Sequence, residues 1–441
     1  MSNPLSASNN APSAPWLARP RVAVALLLLI NLMNYVDRQV LAAVEVKIGH
    51  EFERNGQAIS DAKMGLLSTA FLLSYMLASP LFGWFADRTS RWKIVAIGVF
   101  VWSLASGASG LAEFYLALLL TRVFVGIGEA AYGPTAPTII SDLYPVERRG
   151  SVLAWFYMAI PVGSALGYVW GGHLAEMPNW GWRWAFYLSA PPGILLALWA
   201  LFMHEPRRAV NADGTAARKA TFADLKFLLQ TPSYVYNTLG MTAMTFALGG
   251  LAFWMPRYIV LFRGEGTLAD VGTKFGGITV VSGLIATLAG GYVGDKLRNR
   301  FSGSYFLVSG VGMLVGLPLF LGFLVAPFPY AWALLFAAEF CLFFNTGPSN
   351  TILANVTHPA VRASAFAVNI LIIHMFGDAI SPSLIGWITD STKSAELPVG
   401  NMNLSFGAGV SLAIFLSGVF WMLGAKHLQR DTELAPTRLT S

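Results

Sequence analysis

Twelve apolar runs of about 18–25 residues each divide this chain of 441 residues. Six lie near 22–44, 64–86, 94–112, 114–142, 150–176 and 182–203; six more lie near 235–262, 275–293, 304–326, 329–356, 364–389 and 404–424. A helix of about 20 residues spans about 30 Å, the thickness of a bilayer's hydrocarbon core. The runs therefore predict an all-α membrane protein with twelve transmembrane helices. An even number of crossings puts both termini on one side.

Charge scarcity agrees with this. Only 12% of residues are charged and 55% are hydrophobic, whereas soluble domains carry roughly twice that charged fraction. Most of the surface faces lipid, where a charge is costly. The 43 glycines fit close helix packing in a membrane. The net charge of +6 suggests a nucleic-acid partner until the charges are placed. With the termini inside, cytoplasmic segments hold most of the 29 basic residues, among them Arg88, Arg91, Lys93, Arg148, Arg149, Arg207, Arg208, Lys296, Arg298 and Arg300. That bias is the positive-inside rule. It accounts for the basic balance without nucleic acid and predicts a multi-pass inner-membrane protein with both termini cytoplasmic. The single cysteine, Cys341, excludes an intramolecular disulfide and argues against a thiolate metal site.

The longest hydrophilic interruption divides the chain in two. The reading is a disordered tail at 1–18, a six-helix bundle at 19–204, a cytoplasmic linker at 205–231, a second six-helix bundle at 232–428 and a disordered tail at 429–441. The linker's second part, Phe222-Ala223-Asp224-Leu225-Lys226-Phe227-Leu228-Leu229, predicts a short interfacial helix. The first run is too long for a signal h-region and carries Asp37 and Arg38, so it is read as a retained span.

The halves share a template. Gly83-Trp84-Phe85-Ala86-Asp87-Arg88 recurs as Gly291-Tyr292-Val293-Gly294-Asp295-Lys296, and Gly133-Pro134 as Gly347-Pro348. Thr138-Ile139-Ile140 returns as Thr351-Ile352-Leu353, and Arg149-Gly150-Ser151 as Arg362-Ala363-Ser364. Four matches in order between equivalent spans indicate duplication, the architecture of many transporters. Gly83 is expected to allow close helix approach. Asp87 with Arg88, Arg91 and Lys93 is expected to form a charge cluster that breaks when the halves rock, with Asp295 and Lys296 as the counterpart. The bland alternative is topology charge at a helix end.

These two loops, with Trp182-Arg183-Trp184-Ala185-Phe186-Tyr187 opening the sixth span, resemble the major facilitator superfamily. The resemblance implies two pseudo-symmetric six-helix bundles working by alternating access as a monomer, with spans 1 and 4 bordering a central cavity.

Ionisable residues inside spans are functional candidates by default. Asn31, Asn34 and Arg38 share one face of span 1 with Asp37 beside it, and Arg122 and Glu129 share a face of span 4. A face carrying two amides and two charges cannot comfortably meet lipid. An arginine beside a carboxylate favours its charged form, and burial away from cations favours the neutral one. Rocking that moves Arg38 or Arg122 relative to Asp37 and Glu129 would load and unload a proton. The alternative is a static ion-pair network that fixes helix packing, with Arg122 a structural partner. Span 11 adds His374 and Asp378, four apart and able to hydrogen-bond. In the second half Glu339 stands among Phe336, Phe340, Phe343 and Phe344, and span 7 is rich in Met and Phe. Such spans face lipid or pack helices; the other reading is a cavity charged on one wall and greasy on the other.

Gly126-Ile127-Gly128-Glu129-Ala130-Ala131-Tyr132, the stretch Ala136-Pro137-Thr138-Ile139-Ile140-Ser141-Asp142-Leu143, and Phe156-Tyr157-Met158-Ala159-Ile160-Pro161-Val162-Gly163-Ser164-Ala165-Leu166-Gly167-Tyr168 resemble the Spinster family. The resemblance implies transport of lysolipids such as sphingosine-1-phosphate or lysophospholipids. It also implies that Arg38 contacts an anionic headgroup, that Tyr168 lines the headgroup site, and that Asp37, Arg122 and Glu129 form a proton-linked core. Asn34 and Glu339 are counted among the substrate-binding residues, and an acyl tail is expected against Phe246, Phe253, Phe340 and Phe343.

No His-Glu-x-x-His, Gly-x-Ser-x-Gly or phosphate-binding Gly-x-x-x-x-Gly-Lys-Ser/Thr stretch is present. No enzyme activity, metal or cofactor is expected. A channel would not need duplicated loops with intramembrane acid–arginine sets. The close rival is a proton symporter of small organic anions, which would use Arg38 for a carboxylate and Glu129 for the proton.

Overall fold

The computed structural model describes residues 19–86, 88–144, 146–178, 181–205, 222–358 and 361–437, which are helical almost throughout, with no strand among them. The first half contains α1 (Pro20–Arg54), α2 (Asp61–Ala86), α3 (Arg91–Ser109), α4 (Tyr115–Tyr132), α5 (Thr135–Leu143), α6 (Val146–Glu176) and α7 (Gly181–Leu201). Then come α8 (Phe222–Leu229), α9 (Pro232–Arg257) with a π turn at Tyr258–Phe262, α10 (Leu268–Arg298), α11 (Ser304–Val325), α12 (Tyr330–Phe343) and α13 (Thr346–Val356). The chain closes with α14 (Arg362–Ile373), a π turn at His374–Asp378, α15 (Ser381–Ser391), α16 (Met402–Ser405), a π turn at Phe406–Val410, α17 (Ser411–Gly424) and α18 (Leu428–Leu434). Eleven helical stretches among the described residues are long and apolar enough to cross a membrane. The 31-residue α6 occupies the fifth predicted run.

Local chemistry explains where the helices start and break. Pro20 and Pro232 open α1 and α9, where a missing N–H costs nothing. Thr267 and Asp270 form a reciprocal capping box at the start of α10. The fourth predicted span is interrupted at Gly133-Pro134, between α4 and α5. The tenth is interrupted between α12 and α13, next to Gly347-Pro348. The duplicated Gly-Pro therefore stands at the break in the first half and in the first turn after it in the second. Predicted span 1 is exceeded by ten residues, because α1 continues to Arg54 with Phe52 buried against the Trp182 ring, 6.5 Å away.

Helices in lipid associate through packing and hydrogen bonds rather than hydrophobic force. Asn237 of α9 shows this: it accepts from Trp421 Nε1 (3.0 Å) and donates to the Ser349 carbonyl (3.0 Å), tying α17 and α13 to α9. The two halves meet along two glycine-mediated seams. A Cβ at Gly65 of α2 would strike the Pro382 carbonyl, and one at Gly386 of α15 the Asp61 carbonyl. On the other side a Cβ at Gly172 of α6 would strike the Leu268 carbonyl, and one at Gly272 of α10 the Tyr168 carbonyl. Gly65 and Gly272 hold equivalent places in the duplicated template, as do Gly172 and Gly386. One close-packing device thus serves both seams.

Two expected segments need comment. The interfacial helix is present as α8, while 1–18 and 206–221 lie outside the described residues. The tail at 429–441, expected to be disordered, is instead helical to Leu434 with a 3-10 turn to Thr437. Asp431 is buried and accepts from the Ser233 N–H (2.8 Å), placing a carboxylate at the N-terminus of α9 where the helix dipole favours it.

Candidate functional site

The polar stripe of α1 faces the protein interior. Asn31, Asn34 and Asp37 are buried, and the Asn31 amide donates to the Phe156 carbonyl of α6 (2.9 Å). Arg38 reaches α4, its Nε and Nη2 lying 2.8 and 2.6 Å from Glu129 Oε2. The Glu129 side chain is 1% exposed and that of Arg38 20%. The guanidinium also lies over the rings of Tyr35, Phe71 and Tyr75, at 4.8, 4.9 and 5.5 Å. Charge pairing and cation–π contact together replace the water that this cation has lost. Arg122 takes a different neighbourhood: it donates to the Ser109 hydroxyl and sits 5.3 Å from the Phe186 ring centroid. Asp37 is flanked by the Ser189 and Ser106 hydroxyls and lies within the electrostatic reach of Arg122 and Glu129. Asp37, Arg38, Arg122 and Glu129 therefore form one buried cluster. The Asn34 amide lies beside Glu129, and Arg122 Nε has no hydrogen-bond partner.

Beside the cluster a cavity of about 270 Å³ opens between the halves. Tyr35 and Gln39 of α1 and Ser164 and Tyr168 of α6 face Thr245, Thr279, Glu339, Phe343 and Asp378 of the second half across it. Tyr168 lines it as expected, fixed by donation to the Ala252 carbonyl (2.5 Å) and by the Phe275 ring at 4.9 Å. Glu339 is 3% exposed, with only the Thr279 and Ser282 hydroxyls at 3.5 and 3.4 Å. Phe343 lines the cavity, whereas Phe246, Phe253 and Phe340 do not. Phe253 is buried edge-on to Trp254, and Phe340 lies against Phe344. They are packing residues of the second half. Arg38 is also absent from the lining, because Glu129 and the aromatic rings hold it back. The walls are thus the reverse of one expected arrangement: the carboxylates in the lining come from the second half.

The gating residues are placed differently from expectation. A Cβ at Gly83 would meet nothing within 4 Å, so no close approach depends on it. Asp87 lies outside the described residues. Arg88 folds back on its own helix, over the Trp84 ring at 3.9 Å and donating to the Trp84 carbonyl. Arg91 pairs with Asp142 (2.6 Å) and Glu205 (2.7 Å), joining α3, α5 and the end of α7 within the first half. Asp295 accepts from the Tyr305 hydroxyl (2.7 Å), and Lys296 lies 5.8 Å from the Tyr292 ring. These contacts all stay within one half.

The polar contacts between described residues of opposite halves lie from mid-molecule to the end away from the termini. Arg257, closing α9, reaches Glu45 of α1 (2.9 Å) and Asp61 of α2 (2.7 Å). Asp390 of α15 accepts from the backbone N–H groups of Asp61 and Ala62 (3.0 and 2.8 Å). Lys393 contacts both Asp390 (2.6 Å) and Asp61 (3.6 Å). Deeper in, the Thr69 hydroxyl meets the Ser383 hydroxyl at 2.9 Å. Sequence reading missed this clasp, since Glu45, Asp61, Arg257 and Asp390 each fall at a span end and no spacing relates residues of different halves.

The comparisons with known proteins bear on the same features. The Major Facilitator Superfamily model matches residues 27–382. Protein spinster homolog 3 of Danio rerio is 34% identical over 439 residues, 95% of this chain and 87% of that protein. The sphingosine-1-phosphate transporter SPNS2 of Danio rerio is 35% identical over 441 residues, 94% of this chain and 86% of that protein. Among solved structures, a bacterial homolog of the human lysosomal transporter Spinster, inward-facing and unoccupied, superposes with a TM-score of 0.78 at 23% identity, covering 94% of this chain and 97% of that one. A D-xylose–proton symporter shares the fold at a TM-score of 0.67, with 17% identity and coverage of 89% and 96%. A transporter, with its cavity between two related helical halves, is what these relationships describe: the chain belongs to the Spinster family of the major facilitator superfamily.

Proposed function

We propose that this protein is a proton-coupled secondary transporter that moves an amphiphilic, anionic lysolipid across a bacterial inner membrane by alternating access. The observation that carries the reading is the buried Arg38–Glu129 pair at the edge of a cavity between the halves. A carboxylate holding an arginine in this way is a coupling device. Protonation of Glu129 removes the charge that restrains Arg38, and the guanidinium is then free to meet an anionic headgroup entering past Tyr35. Deprotonation recaptures it and expels the anion. Asp37, with Arg122 nearby, is the second proton site of the same cluster. A relative that covers most of the chain is called a sphingosine-1-phosphate transporter, which supports a phosphate-bearing amphiphile. With the termini cytoplasmic, the clasp of Glu45, Asp61, Arg257, Asp390 and Lys393 closes the outer end, and the cavity belongs to an inward-facing state. Both seams and the clasp would part in the outward-facing state.

The test is transport of a labelled lysophospholipid into proteoliposomes with and without a pH gradient, for the wild type, Glu129→Gln and Asp37→Asn. The expected outcome is saturable movement that follows the gradient and collapses in either variant. Gradient-insensitive movement that is equal in all three proteins would leave the lipid and remove the proton. Binding of a small carboxylate with no lysolipid binding would replace the reading with an organic-anion symporter.

A further inference from the structure

The two copies of the duplicated loop treat their cations differently. In the first half, Arg91 is held by Asp142 and Glu205 at 2.6 and 2.7 Å. Carried through the register of the duplication, Arg91 corresponds to Asn299 and Asp142 to Asn355. The second half has exchanged that ion pair for two amides, yet it keeps Lys296, Arg298 and Arg300 at and just past the end of α10. All three are exposed, and none makes an ion pair with another described residue. Asp295, the one acid of this loop, is engaged by the Tyr305 hydroxyl (2.7 Å), beside which Arg298 also lies. The balance at this corner stays positive. Membrane topology asks for cations on this side, but it does not ask for the acids that would hold them to be missing.

Next to the cations, α10 turns an apolar stripe outward. Val281, Ile285, Leu288 and Tyr292 are 45, 51, 76 and 65% exposed. Their spacing keeps them on one helical face, and Lys296 falls one turn further along it. Gly290 and Gly294, close against Phe344 and Tyr305, mark the opposite face as the packed one. The exposed ring of Phe301 follows Arg300, so aromatic side chains flank the cations as they do at membrane interfaces.

We infer that this corner binds an anionic phospholipid of the leaflet on the side of the termini, its phosphate held by Lys296, Arg298 and Arg300 and one acyl chain lying along the α10 stripe. The phosphate supplies the acceptors that Asp142 and Glu205 supply in the first half, and the arginine fork matches it bidentately. The continuity of stripe and cations selects a lipid over a free anion, since a soluble phosphate gains nothing from Leu288 and Tyr292. The headgroup carries net negative charge, because a zwitterionic one would bring its own ammonium against the same cations. By bridging the end of α10 and the turn into α11, the lipid braces the second half where the first half braces itself. None of these residues lines the cavity, so the site is independent of the substrate carried.

The experiment is native mass spectrometry of the purified protein released from micelles holding equal amounts of phosphatidylglycerol and phosphatidylcholine with the same acyl chains. The wild type should retain phosphatidylglycerol over phosphatidylcholine by about tenfold or more, as three cations at the membrane surface act together. Lys296→Gln/Arg298→Gln/Arg300→Gln should lose most of that preference. Lys93→Gln/Lys426→Gln/Arg430→Gln, which removes as many exposed cations from the same side, should keep it. No preference in the wild type overturns the site, and equal loss in the two triple variants reduces it to net charge and overturns it too. Displacement of the bound lipid by millimolar inorganic phosphate would leave an anion site and remove the lipid. If the first triple variant does not fold, Lys296→Gln/Arg300→Gln, which spares the contact of Arg298 with Tyr305, decides by the same ratio.

Discussion

At the scale of single residues the energetics centre on Arg38. Its guanidinium satisfies Glu129 and rests against three aromatic rings, so the pair is both stabilised and poised. Removing one member of a buried pair typically costs about 3–5 kcal/mol, because the other is left charged without a partner. Arg38→Ala should therefore lower the unfolding temperature clearly, and adding Glu129→Gln should recover a large part of the loss. Thermal melts of the two single variants and the double variant in one detergent measure this; simple additivity would show that the two side chains act independently. Arg38→Lys keeps the charge but loses the planar contact with carboxylate and rings. It is expected to fold near normally and to transport at least about tenfold more slowly, since a lysine cannot reproduce that geometry.

At the scale of elements the seams α2–α15 and α6–α10 decide how the halves close. Gly65 and Gly386 on one seam, and Gly172 and Gly272 on the other, place backbone against backbone where any Cβ would collide. Close approach through small residues is the usual way in which membrane helices gain packing energy. A leucine at Gly65 or Gly386 should hold the end away from the termini apart without unfolding either half, because the collisions lie between the halves. In a Cys341→Ser background with Thr279→Cys in the cavity wall, an impermeant maleimide added from outside should label Gly65→Leu protein several-fold faster than its Gly65 parent. Unchanged labelling would mean that the seam yields without opening the cavity.

At the scale of the whole molecule the clasp at the end away from the termini and the paired hydroxyls below it connect one half to the other. Thr69 and Ser383 are close enough, at 2.9 Å between oxygens, for cysteines in their places to meet disulfide geometry. In the Cys341→Ser background, oxidation of Thr69→Cys/Ser383→Cys should stop transport, and reduction should restore it. Full transport by the oxidised protein would contradict separation of the halves along this seam. Arg257→Ala removes the cation shared by Glu45 and Asp61. It should raise outside labelling of Thr279→Cys in the same assay as for Gly65→Leu.

The number of helices, the division into related halves and the burial of the stripe Asn31, Asn34 and Asp37 were all legible in the chain. Each follows from local order: apolar run length sets a crossing, a repeated Gly-Pro sets a repeated break, and charges on one helical face cannot be left in lipid. The pairing of Arg38 with Glu129, rather than of Arg122 with Glu129 along its own helix, required α1 and α4 to be placed side by side. So did the transfer of Phe253 and Phe340 from cavity to packing, since helical spacing gives a face but not what the face meets. The clasp could not be read at all, because ion pairs such as Glu45–Arg257 join positions more than two hundred residues apart. Local sequence therefore determined the spans, their breaks and their polar faces; only the tertiary structure decided which charges meet, which end is closed, and that the cavity's carboxylates belong to the second half.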